Sequence, residues 1–78
     1  MVKEKIANES RTERFKRLAT ARTNAVLEKL RVLGNCSNAS TYEYSAQEVE
    51  KIFFAIDKEL KKTRAKFEAN TEKRTFRL

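Results

Sequence analysis

Two Ser-x-x-Glu segments, Ser10 to Glu13 and Ser45 to Glu48, each stand directly ahead of a run of apolar residues spaced by three and four positions. In such a capping box the serine oxygen accepts from the glutamate N–H while the glutamate carboxylate reaches back to the serine N–H. Two of the donors left unpaired at a helix start are thereby satisfied. A chain with two such starts and no proline is bound to two helices before anything else about it is considered.

The first box is followed by Phe15, Leu18, Ala19, Val26, Leu30 and Leu33, which draw a single apolar stripe. Gly34 then supplies the residue type that best tolerates a left-handed helix terminus. This spacing predicts a helix over 11–33. Ahead of the second box, Tyr44 and Val49 have the spacing of a hydrophobic staple. The stripe continues through Val49, Ile52, Phe53, Ile56, Leu60 and Phe67, with Thr63 in register, and meets no breaker before Asn70. A second helix is expected over 46–68, with a loop at 34–45 and flexible termini at 1–10 and 69–78.

Both predicted helices come to about 34 Å at 1.5 Å per residue, so folded back on one another they match end to end. The expected fold is all-α: an antiparallel two-helix hairpin in which facing residues have numbers summing to about 82. Leu33 then meets Val49, Leu30 meets Ile52, Val26 meets Ile56 and Phe15 meets Phe67. Arg22 interrupts the first stripe where an apolar residue is expected, opposite Glu59, Leu60 and Thr63. A charge there needs a partner, and Glu59 is the expected one, within a chain or across a dimer; a ligand-binding arginine is the alternative.

A chain of 78 residues buries little surface by itself. With one cysteine and no histidine, neither an intramolecular disulfide nor a structural zinc site compensates, and no metal or cofactor is expected. Pairing two hairpins into a dimeric four-helix bundle would cover the remaining apolar surface. Leu27 and Phe54 lie about 120° and 140° from their stripes, at 100° per residue, and are candidate contacts for another subunit or a partner. The chain contains no apolar run long enough to span a bilayer, and "MVKEKIANES" lacks the apolar centre of a signal peptide, so a cytoplasmic protein is expected.

The net charge of +7 points to an acidic partner, nucleic acid foremost, although positive charge also serves solubility. Arg14, Arg17, Asn24 and Arg31, with Glu28, share the outer face of the first helix, where arginine and asparagine meet phosphates and base edges. A solvated face has a similar composition. The second helix ends in "KELKKTRAKFE", which offers Lys58, Lys62 and Lys66 beside Lys61 and Arg64, and the tail adds Arg74. Cations at a helix C-terminus also complement its dipole. The connection is too long for a helix-turn-helix.

The loop "GNCSNASTYEYS" is longer than most helix connections. It either folds over the bundle end with its tyrosines as a lid, or presents Asn35, Ser37, Asn38 and Tyr42 to a ligand or partner. Its two glycosylation sequons lack a secretory signal, and Cys36 lacks a histidine to activate it. No glycine-rich phosphate loop or pair of convergent carboxylates is present, so no enzyme is expected.

The segment 27–60, with L-G-N-x-S-N, then Y-x-Y-S, then E-V-x-K-I-F, resembles a group of small helical proteins of bacteria, phages and mobile elements. Cys36 departs from the aliphatic residue expected there. The resemblance implies that Gly34, Asn35, Ser37, Asn38, Tyr42 and Tyr44 form a structured loop, and it carries no activity. The expected function is binding: a self-associating basic hairpin that engages nucleic acid or a nucleoprotein as an accessory factor. The alternative is a small protein-binding inhibitor or adaptor of phage or mobile-element origin that uses the loop with Phe54 or Leu27.

Overall fold

The structure, a computed structural model, describes the backbone of residues 9–75 and the side chains of residues 9–70. The expected flexible residues before Glu9, the last three residues of the tail and the Arg74 side chain lie outside what is described. Among the described residues there are two α-helices and no strand: α1 (Arg11–Gly34) and α2 (Ala46–Thr75), with a single 3-10 turn at Asn35–Ser37. The chain divides after Tyr42 into two units, one carrying α1 and the 3-10 turn, the other carrying α2.

Both helices begin where the capping boxes put them. At α1 the Glu13 N–H donates to Ser10 Oγ at 3.0 Å, and the Ser10 N–H donates to Glu13 Oε1 at 3.0 Å. At α2 the Glu48 N–H donates to Ser45 Oγ at 3.1 Å, and the Ser45 N–H donates to Glu48 Oε1 at 2.8 Å. The serine carbonyls accept the first helical bonds, from the Arg14 N–H at 2.9 Å and the Val49 N–H at 3.2 Å. Removing either serine oxygen costs a cap of about 1 kcal/mol.

The helix ends differ from the expectation. Gly34 is right-handed, at φ −58° and ψ −25°, and no residue of the described chain has a positive φ. It ends α1 as an ordinary helical residue, and termination falls instead to the tightening that follows. The Asn35 N–H bonds to Val32 O, three residues back, and the 3-10 turn runs on to Ser37. The tighter repeat satisfies late carbonyls without any left-handed residue. At the other end α2 passes the expected stop at Glu68 and continues to Thr75. Asn70 is only about 0.6 kcal/mol poorer than alanine inside a helix, and Ala69, Glu72, Lys73 and Arg74 around it favour helix.

No described residue is buried. The stripe residues Leu18, Ala19 and Leu33 on α1, and Val49 and Ile56 on α2, are half-buried, while Phe15, Val26, Leu30, Ile52, Phe53, Leu60 and Phe67 are exposed. On each helix the apolar stripe predicted from the sequence is thus part exposed and part half-buried. Full burial of each such side chain is worth about 1.5–3 kcal/mol, none of which an isolated helix realises. Among the described residues no helix is long and apolar enough to cross a membrane.

Candidate nucleic-acid interface and connecting loop

The arginine face of α1 is already partly committed to carboxylates. Arg17 makes a two-pronged contact with Glu9: its Nε donates to Oε2 at 2.8 Å and its Nη2 to Oε1 at 2.9 Å. Glu9 precedes the helix and reaches over its first two turns to do so. Its side chain is only 11% exposed whereas that of Arg17 is 45% exposed, which makes the carboxylate the covered member of the pair. The hydrogen bonds from Arg17 are the main cause holding the Glu9 carboxyl below its ordinary value of 4.5, against an opposing effect of desolvation, with the positive charges of Arg17 and Arg14 adding to the lowering. The same contact raises the Arg17 guanidinium.

Arg31 is also paired, with Glu28 three residues before it, through Nε to Oε1 at 3.2 Å and a second contact from Nη2 to Oε2. Arg14 and Asn24 are exposed on the same helix. The outer face of α1 is thus a mixed surface on which Arg14 keeps its charge uncommitted to any ion pair among the described residues, while Arg17 and Arg31 are matched by acids.

On α2 the balance is reversed. Arg64 donates from Nε to Glu68 Oε2 at 3.1 Å, but Lys58, Lys61, Lys62 and Lys66 are exposed and in no ion pair among the described residues. Steps of four residues place Lys58, Lys62 and Lys66 along one side of the helix, about 6 Å apart along its axis. Lys58 and Lys62 lie nearly opposite the apolar stripe, so an anion on the lysines and a helix on the stripe do not compete for space.

The loop is organised around one side chain. Asn38 leaves the 3-10 turn in an extended conformation, φ −67° and ψ 101°. Its Oδ1 accepts from the Ser40 N–H at 3.1 Å and from Ser40 Oγ at 2.7 Å. Its backbone carbonyl accepts from the N–H groups of Thr41 at 3.1 Å and Tyr42 at 2.9 Å, and its N–H donates to Asn35 O at 3.4 Å. This is an Asx-turn, in which an asparagine side chain replaces a backbone carbonyl in closing the chain reversal. Asn38 is therefore a structural hub, with its oxygens committed inside the loop, whereas the Tyr42 ring stands exposed. Asn35 serves as the C-terminal cap of α1, and Ser37 closes the 3-10 turn.

Leu27 and Phe54 are both exposed, and Phe54 at 69% is the most exposed large apolar side chain among the described residues. Arg22 and Glu59 are each exposed on their own helix. Glu9 is the one participant that the sequence does not announce. It lies before the helix, so its eight-residue separation from Arg17 matches none of the helical spacings by which ion pairs are ordinarily found. No family model, curated protein or solved structure matches this chain.

Proposed function

We propose that this protein acts by binding rather than catalysis, as a self-associating helical hairpin whose basic faces engage nucleic acid or a nucleoprotein in an accessory role. The observation that carries the reading is the line of exposed lysines on α2, Lys58, Lys62 and Lys66, in no ion pair among the described residues, with Lys58 and Lys62 nearly opposite the apolar stripe. The net charge of +7 acts in the same direction. Phosphates neutralised by such lysines release condensed counterions, and affinity then falls steeply with salt.

The exposed stripes on both helices support self-association, because a helix of this kind gains most of its stability from covering its apolar face. In the antiparallel pairing Arg22 lies against Glu59, and two hairpins complete a four-helix bundle. The test is fluorescence anisotropy with a short duplex across a salt series. Three lysine–phosphate contacts correspond to a slope of about −2.7 in log K against log salt, and replacing Lys58, Lys62 and Lys66 with glutamine flattens it by about that amount. A salt-insensitive affinity overturns the reading.

A protein-binding adaptor of the kind that phages and mobile elements carry is the second reading, and Phe54 favours it. A large aromatic ring this exposed, outside the stripe that a helical partner would cover, suits the centre of a protein interface. Pull-down from nuclease-treated extract separates the two: a stoichiometric protein that survives nuclease supports the adaptor.

A further inference from the structure

The Glu9 carboxylate sits in the fork of Arg17 as a phosphate would. Guanidinium groups bind carboxylate and phosphate through the same parallel pair of N–H donors, and both prongs are occupied here, at 2.8 and 2.9 Å. The acid lies close enough to Arg14, one turn earlier on the same side of α1, to feel its charge as well. The Arg17 fork thus holds a carboxylate carried by the segment just before the helix, outside its hydrogen-bonded frame, while Arg14 is in no ion pair among the described residues. The Ser10–Glu13 capping box closes α1 independently of Glu9, so the carboxylate can leave without unmaking the helix start. The arginine member of the pair is 45% exposed, and an ion pair open to solvent on that side is worth little in net stability, which makes exchange of its anion inexpensive.

We infer that Arg17, with Arg14 beside it, is an anion site for a backbone phosphate of nucleic acid and that Glu9 is its internal occupant, an autoinhibitory contact displaced when the phosphate arrives. The inference rests on the nucleic-acid reading above and adds a regulated contact on α1 to the lysines of α2. Glu9 in the Arg17 fork and a phosphate bound there are mutually exclusive. Any change that removes the Glu9 charge therefore strengthens binding through Arg17, by more than one unit of net charge does elsewhere.

The experiment measures binding of the full chain to a short fluorescent duplex at low salt for the wild type, Glu9→Gln, Arg17→Gln and their combination. Glu43→Gln, which changes net charge equally and lies outside both helices, is the control. Circular dichroism verifies that each variant keeps its helices. Glu9→Gln should tighten binding about two- to fivefold beyond Glu43→Gln, as expected for releasing an arginine from an exposed ion pair. The extra gain should vanish in the Arg17→Gln background. Tightening no greater than that of Glu43→Gln, or a gain that persists without Arg17, overturns the inference while leaving the nucleic-acid reading in place. Absence of binding by the wild type and every variant removes both.

Discussion

Gly34 is the residue at which a familiar signal misleads. Glycine after an apolar helical run is the usual mark of a left-handed terminus, yet here it is right-handed and helical. A Cβ built on it meets nothing within 4 Å. Gly34→Ala should therefore raise the stability of α1 by about 0.5–1 kcal/mol, since alanine lowers the entropy lost on helix formation without strain. The check is the helical circular dichroism signal and its thermal midpoint; a fall in either would mean that the glycine is needed in another conformation. Glu9 makes the other prediction at this scale. Its carboxyl is held below 4.5 by Arg17, so the contribution of the pair is present above that value and is lost as pH falls through the lowered one. A carbon-detected NMR titration should place the Glu9 midpoint below 4.5 and show it raised in Arg17→Gln. An unchanged midpoint would show that the fork does not hold in solution.

At the scale of the element, the starts of α1 and α2 were legible and their ends were not. A capping box is a local contract among four residues, and the same four residues carry it out in the structure. An end has no comparable mark when, as at Asn70, a middling helix former stands among good ones. Because α2 continues to Thr75, Asn70→Pro removes a backbone donor and collides with the preceding turn, at a cost of about 3 kcal/mol or more. Far-UV circular dichroism should register loss of the last turns of α2, whereas Asn70→Ala should preserve or increase the signal. If proline there changes nothing, the helix already ends near Glu68. The loop shows the same division. Its richness in asparagine and serine marks a turn, but which asparagine closes it depends on Asn38 adopting an extended backbone while Asn35 stays helical.

For the whole molecule, the decisive fact is that no described residue of either apolar stripe is buried. A chain in this condition should become more helical and melt higher as its concentration rises, because association covers what folding leaves bare. Circular dichroism melts over a hundredfold range of concentration, with light scattering for mass, measure this. A concentration-independent melt of a monodisperse monomer would remove the bundle. Charge reversal tests its register: Arg22→Glu should lower the midpoint, and adding Glu59→Arg should restore it.

Sequence alone determined the existence, class and starting points of both helices, the faces their apolar residues occupy and the sign of the protein's charge, because these depend on spacing within a few residues. Only the three-dimensional structure decided that Gly34 continues its helix, that Asn38 closes the loop and that Glu9 rather than a helical neighbour answers Arg17. Those outcomes turn on backbone angles and on the reach of a side chain across two turns, and no fixed spacing in the sequence encodes either.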